Sequence, residues 1–307
     1  MNKIFTTLKF IAIAMVSGFV FQSCEIINPP EQIPFYLRID STSFLDSSDV
    51  PPRYTKRGVQ DITDAWVSVD GEYIGTYEIP TTIPVMKEAG THRIEIIPGI
   101  LANGQNNDRR IYPFFSPYYQ TIQTTEGSVD TIYSKFAYRT NQPKYPPEGV
   151  GQFPEGFEGA GTIFKTAGSS KIDTIIRTSD PALVFDGNFS LKFELDPSKD
   201  YVEFETSKSY SLPVASGLNI YTELNFRTDV QLLVGVYAEN VLSGQIINIP
   251  YINLNPTQDQ WKKIYIDLTQ DLSGFRTHRF KLYFKASHNP SLSSSKILLD
   301  NIKLIHL

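Results

Sequence analysis

The groups in this chain with chemistry to offer are four histidines, one cysteine and a scatter of carboxylates. His92, His278, His288 and His306 are too dispersed for two imidazoles to share one face. No HExxH pattern pairs any of them for a metal. His92 follows Gly90 and Thr91 at the start of a strand pattern and reads as structural. No Gly-x-Ser-x-Gly elbow, phosphate loop or dinucleotide fingerprint occurs. Glu203 and Glu205 stand two apart and so share a strand face, which a glycosidase pair could use. Any exposed alternating strand gives the same spacing, so no catalytic residue is assigned and the chain is read as a non-enzyme.

What the composition does supply is aromatic surface. Tyr and Phe number 17 and 20, and aromatics make up 13% of the chain, a level suited to strands. An aromatic ring flanked by amides and carboxylates can stack on the apolar face of a pyranose and bond its hydroxyls. Tyr237, Tyr251 and Tyr265, with Glu239 and Asn253 close in sequence, are the residues expected to form such a binding face. The net charge of −5 and the lack of a basic stripe argue against nucleic acid as a partner.

Length and punctuation indicate what must position these groups. A chain of 307 residues, 41% hydrophobic, can bury the cores of two ordinary domains. From residue 33 onward helical periodicity is nearly absent. Short apolar or alternating runs are broken by Gly, Pro, Asn, Asp and Ser, the pattern of an all-β sandwich protein. The first domain is expected over residues 33–141. Its strands are read at 35–40, 62–69, 72–77, 90–99, 111–123 and 129–138, with a tight turn at Asp70-Gly71. A long loop is expected over 41–57, a Pro-bearing loop after 77, and a polar hairpin connection at 103–110. Residues 142–151, rich in Pro and Gly, read as the linker. The second domain is expected over 152–307, with strands at 174–178, 182–185, 190–195, 201–205, 218–227, 231–238, 245–251, 261–267, 278–286 and 296–305. Ten strands suffice for the two sheets of a jelly roll.

The amino terminus is of another kind. Lys3 and Lys9 precede an uninterrupted apolar run over 10–21, far short of the ~20 residues of a spanning helix but of the length of a signal-peptide core. Ser23-Cys24 follows directly, and Cys24 is the only cysteine. This arrangement resembles the lipobox of bacterial lipoproteins, in a loose form like that of Bacteroidota, with Phe21 and Gln22 departing from the usual pattern. The resemblance implies cleavage after residue 23 and diacylglycerol on the Cys24 sulfur. Two or more acyl chains make a stable membrane anchor. Residues 24–32, with two prolines, would be the tether.

Two further resemblances concern the domains. Ala65 to Gly75 (AWVSVDGEYIG), a Pro-bearing loop and then Gly90-Thr91-His92-Arg93-Ile94 resemble PEGA-type small β-sandwiches. In the second domain four motifs occur in order: Glu155-Gly156-Phe157-Glu158-Gly159, Asp186-Gly187-Asn188-Phe189-Ser190-Leu191-Lys192, Trp261 to Leu268 (WKKIYIDL), and Asp300-Asn301-Ile302. Together they resemble the jelly-roll domains related to carbohydrate-binding modules. That resemblance implies a structural Ca²⁺ held by Glu158 and Asp300, with Trp261 packed inward.

The resulting expectation is an all-β protein of two β-sandwich domains, the second a jelly roll, following a cleaved lipoprotein signal peptide. It would be lipid-anchored in the outer membrane and bind glycan without catalysis, the first domain serving as a spacer. The alternative is a structural or accessory subunit contacting an outer-membrane protein.

Overall fold

The computed structural model describes residues 31–44, 60–139, 154–214 and 218–306. The apolar leader, Cys24 and the 142–151 linker lie outside the described residues.

The amino-terminal sandwich is built from β1 (Phe35–Phe44), β2 (Asp64–Val69), β3 (Glu72–Glu78), β4 (Thr81–Val85), β5 (Thr91–Leu101), β6 (Arg109–Ile111), β7 (Tyr118–Gln123) and β8 (Val129–Phe136). One sheet has the order β4-β1-β8. The other runs β3-β2-β5-β6, with β7 also paired to β5. Alternation places Leu37, Ile39, Val67, Val69, Ile94, Ile96 and Ile132 in the core between them. The β2–β3 hairpin turns at Asp70 (φ 55°) and Gly71 (φ 81°), the left-handed pair that an Asp-Gly turn supplies. Asp70 also accepts the Arg93 N–H at 2.8 Å and bonds His92 Nδ1 at 2.7 Å. His92 stacks on Phe35 with ring centroids 4.9 Å apart, so its role is structural.

Three local expectations need correction here. The Pro-bearing loop contains β4, whose Pro84 lies on an edge strand, where a missing N–H leaves no ladder bond unmade. The polar connection at 103–110 closes as β6, and its Arg109 reaches the buried Asp64 as well as Glu78. The first strand runs past residue 40, with its backbone paired to β8 as far as Phe44.

The carboxy-terminal sandwich holds β9 (Phe164–Thr166), β10 (Ile176–Thr178), β11 (Ser190–Leu195), β12 (Tyr201–Thr206), β13 (Ile220–Thr228), β14 (Leu232–Asn240), β15 (Ile246–Leu254), β16 (Lys262–Asp267), β17 (His278–Ser287) and β18 (Ser295–His306), with one short helix, α1 (Thr269–Leu272). Its sheets run β10-β11-β18-β13-β16 and β15-β14-β17-β12-β9. Both are antiparallel throughout, as a jelly roll requires. Phe193, Phe204 and Phe284 stack at the centre of the core, with Phe204 and Phe284 4.9 Å apart. The strand expected over 182–185 is instead a turn. Asp180 accepts the Ala182 N–H with its side chain at 3.0 Å, and its carbonyl takes those of Leu183 and Val184. Asp followed by Pro181 starts a turn more readily than a strand.

The two sandwiches share an interior. The outward side chains of β13, β16 and β18 do not face water. Tyr221, Tyr265 and Ile305 pack into the first core against Tyr112, Phe114 and Phe115. Within this apolar junction sits Glu223, fully buried. It accepts hydroxyl bonds from Tyr112 (2.5 Å) and Tyr138 (2.7 Å) and pairs with Lys263 (2.8 Å) and Lys303 (3.4 Å). The backbone continues the joint, with Asn103 N–H donating to the Tyr265 carbonyl at 2.7 Å beside an Ala102–Tyr265 bridge. A spacer connected only through a linker would bury no such network.

Candidate functional site

The first sandwich covers one sheet of the second, which leaves the outer face of β15-β14-β17-β12-β9. The apolar residues of its strands point inward, among them Val202, Phe204, Val234, Val236, Leu282 and Phe284. The residues between them therefore line one outer face in register. Glu203 lies opposite Lys285, which lies opposite Leu233. Glu205 lies opposite Tyr283, which lies opposite Gly235, and Lys281 lies opposite Tyr237.

Glu203 organises the centre of this face. Its carboxylate accepts hydroxyls from Ser169 (2.5 Å), Tyr201 (2.8 Å) and Tyr237 (2.5 Å), and Lys285 stands 3.3 Å away. Burial works to raise the Glu203 pKa, but the three hydroxyls and Lys285 outweigh it and hold the carboxyl below its ordinary value. The same cluster pushes the Tyr201 hydroxyl up to about 12, through burial first and then the adjacent carboxylate. Tyr237 is likewise raised by burial and by Glu203. All three side chains thus keep one protonation state across the neutral range, with Glu203 charged and the phenols neutral.

The aromatic part is a pair. Tyr283, fully buried, lies over Gly235, where a Cβ would collide with the phenol end of its ring, and Tyr237 packs against it with centroids 4.4 Å apart. Lys285 stands 4.6 Å from the centroid of the Tyr283 ring. The Tyr283 hydroxyl is buried without a hydrogen-bond partner among the described residues. Beyond Lys285 the face opens into a groove of about 550 Å³, lined by Tyr201, Gln231, Leu233, Asn253, Asn289 and His288 among others. His288 is 9% exposed. Its Nδ1 lies 3.0 Å from Ser295 Oγ and its Nε2 has no partner, a polar atom in the groove wall.

The residues expected from sequence are divided by the fold. Tyr237, Glu239 and Asn253 stand on this outer face, Glu239 opposite Arg279 and Asn253 opposite Leu233. Tyr251 does not: β15 shifts register between Ile252 and Pro250, and the Tyr251 ring packs on the core with its hydroxyl on the Asp267 carbonyl at 2.5 Å. Tyr265 is buried between the sandwiches and donates to the Gln60 carbonyl, so it presents no face to a ligand. Trp261 is half-buried against Phe185, with centroids 5.1 Å apart, and borders a different groove. Tyr201, Tyr283 and Lys285 were not singled out by sequence reasoning, and His288 was weighed only as a metal ligand. The available signal was period-two alternation: Tyr283 and Lys285 occupy the outward positions of β17 just as Tyr237 does those of β14.

The expected metal ligands, Glu158 and Asp300, both bond the loop that leads into β11. Glu158 accepts backbone N–H groups of Asn188 and Phe189, each at 2.8 Å, and the Asn188 amide at 3.2 Å, so it pins the loop before β11. Asp300 is fully buried, bonded by Ser190 Oγ at 2.6 Å and by the Asp186 N–H at 3.2 Å. Burial, helped by the Asp186 charge, pushes its pKa up to about 7 against those bonds. Asp186 Oδ2 and Asn301 Oδ1 are buried acceptors without donors among the described residues. Among the described residues, no group of three or more His, Cys, Asp or Glu side chains is gathered for a metal. Carboxylate and amide oxygens are nevertheless the donors a hard cation takes. Asp186, Asp300 and Asn301 supply oxygens of that kind.

No protein-family model matches the sequence, and no curated protein matches it. Its structural neighbours are β-sandwich carbohydrate-binding modules. One, from work on promiscuous specificity in the β-sandwich superfamily, aligns with 90% of this chain and 99% of its own at 16% identity and a TM-score of 0.40. A module solved with β-1,4-galactotriose covers 49% of this chain and 93% of its own, at 16% identity and a TM-score of 0.34. The xylan-binding domain from Paenibacillus barcinonensis covers 50% and 91%, at 13% identity and a TM-score of 0.36.

Proposed function

We propose that this protein binds glycan without catalysis, on the outer face of β15-β14-β17-β12-β9, while Cys24 carries the lipid that holds it to the outer membrane. The observation that supports the binding reading most is the Glu203 cluster. A half-buried Tyr237, backed by the fully buried Tyr283, and a carboxylate already fixed by three hydroxyls stand beside an open polar groove. Such a surface is pre-ordered, so a sugar that docks on it loses little additional side-chain freedom. Asn253, Gln231 and Asn289 offer amides for hydroxyls, and Tyr201 offers a ring edge. The opposite sheet face is occupied by the first sandwich.

A glycan array probed with the full chain tests this. We expect binding to neutral oligosaccharides, weakened about tenfold or more by Lys285→Ala or Tyr201→Ala, the usual scale for removing a central contact. A full chain that retains no glycan sinks the reading. So does a Lys285→Ala variant that binds as the parent does. For the anchor, mass spectrometry of the mature protein should find two or more acyl chains on Cys24, and a bare thiol would remove it.

A second reading, an accessory subunit that contacts protein, is favoured by one feature. The β14–β15 turn carries Val241, Leu242 and Ile246 well exposed, Leu242 at 85%.

We also propose that a Ca²⁺ would be held by Asp186, Asp300 and the Asn301 amide, and that its role is structural. Its effect has a definite sign. Asp300 titrates higher folded than unfolded, so its contribution is present below the ordinary carboxylate pKa of 3.8 and is lost as pH rises through about 7. Metal-stripped protein should therefore lose stability over that window. Added Ca²⁺ should restore it, by ~2.7 kcal/mol at a hundredfold excess over Kd. Thermal melts with EDTA and with Ca²⁺ read this directly, and Asp300→Asn should abolish the difference.

A further inference from the structure

A second groove, of about 700 Å³, lies where the two sandwiches meet. Its walls come from both. The first contributes Gln60 and Asn103, and the second contributes Asn253, Asn255, Trp261 and Lys262. The Asn103–Tyr265 backbone bond and the Tyr265 hydroxyl on the Gln60 carbonyl hold these walls together. Neither module alone contains the site.

Three observations carry the inference. Gln60 is 6% exposed, yet its Oε1 has no hydrogen-bond partner among the described residues. A buried amide oxygen left without a donor costs roughly 1–3 kcal/mol. A ligand hydroxyl in the groove would supply that donor. Trp261 is backed on one side by Phe185 and borders the groove, a supported indole of the kind that stacks on a sugar ring. Asn253 lines this groove and also the groove of the outer face, so the two meet at one side chain around the end of β15. The charges do not select an ion. Lys263 is committed to Glu223 at 2.8 Å, and the groove lining carries one carboxylate, Asp61, as well as Lys262, whose charge it feels.

We infer that the junction groove is a second glycan subsite. It takes the continuation of a neutral polysaccharide chain whose other end lies on the outer face, which makes the first sandwich a binding partner rather than a spacer. This rests on the proposed glycan reading of that face.

The test is a ladder of cello-, xylo- and galacto-oligosaccharides, from disaccharide to hexasaccharide, titrated calorimetrically into the full chain. Affinity should rise with length in the parent protein. Trp261→Ala and Gln60→Ala should flatten the ladder, with about tenfold weaker hexasaccharide binding and unchanged disaccharide binding. Lys285→Ala should weaken every length. Asn255→Ala, on an exposed turn away from the core, keeps the test valid should Trp261→Ala fail to fold. A parent-like ladder in the Gln60 and Asn255 variants overturns the inference and leaves the outer-face reading intact. No binding by the parent at any length overturns both.

Discussion

Replacing Glu223 by Gln should cost the protein ~3–5 kcal/mol, the scale expected when one member of a buried ion cluster is removed and its partners stay. Lys263 and Lys303 have side chains 2% and 1% exposed, and Glu223 is the carboxylate that pairs with both. Without that charge, two ammonium groups face each other across an apolar junction. Burial already pulls Lys303 down to about 8, with Lys263 adding to the effect and Glu223 opposing it. In the variant that opposition is gone. The pH dependence provides a second readout. Burial would raise the Glu223 carboxyl, but the two lysines and the Tyr112 hydroxyl prevail and hold it at about 2. Its contribution is complete above the ordinary value of 4.5 and is lost as pH falls from there through about 2. Urea titrations across that range should show an acid limb in the parent that Glu223→Gln lacks. A loss under about 1 kcal/mol at neutral pH would mean that the junction admits water and that the lysines are not desolvated.

Gly235→Val should disable the outer face. Gly235 is the floor on which Tyr283 lies, and a Cβ there would collide with the phenol end of that ring. Gly235 sits in β14 directly opposite Tyr283 in β17, so the backbone cannot yield without breaking the ladder. The ring must leave, and Tyr237, packed 4.4 Å away, loses its support along with the geometry that delivers its hydroxyl to Glu203. Overpacking of this kind costs ~1–3 kcal/mol, which the fold should survive. Glycan affinity should fall by more than about tenfold, because the pre-ordered surface is lost. Retained affinity with a displaced Tyr283 would show that Tyr237, which it supports, is not part of the binding surface. Calorimetry with any array-positive glycan, beside a far-ultraviolet circular dichroism check of folding, separates the two outcomes.

How much of this was readable in advance depends on the range of the interaction. Strands such as β11 and β12 were legible because Leu191, Phe193 and Leu195 alternate with polar residues, and alternation is local. The β2–β3 turn was legible because Asp-Gly adopts left-handed φ with no help from the rest of the chain. Short strands escaped. β9 and β6 have three residues each, too few for a period to register, and β4 is interrupted by a proline that only its edge position makes harmless. Tyr237 and Tyr265 look alike in sequence, each a tyrosine in an alternating strand. One borders solvent and the other is sealed, because the first sandwich docks on one sheet of the second and not on the other.

The sequence by itself determined the all-β class, the alternation that builds each sheet, and the tight turn at Asp70-Gly71, since each depends on residues within one strand or hairpin. Only the tertiary structure decided which aromatic faces a ligand could meet, that Glu158 pins a loop while Asp186 stands beside Asp300, and that the two modules share a buried charge cluster. Those outcomes depend on contacts between residues distant in the chain, the module docking on pairs more than a hundred residues apart, such as Tyr112 with Glu223 and Tyr138 with Lys303. No local pattern encodes that docking, because its energy comes from desolvating both partners at once.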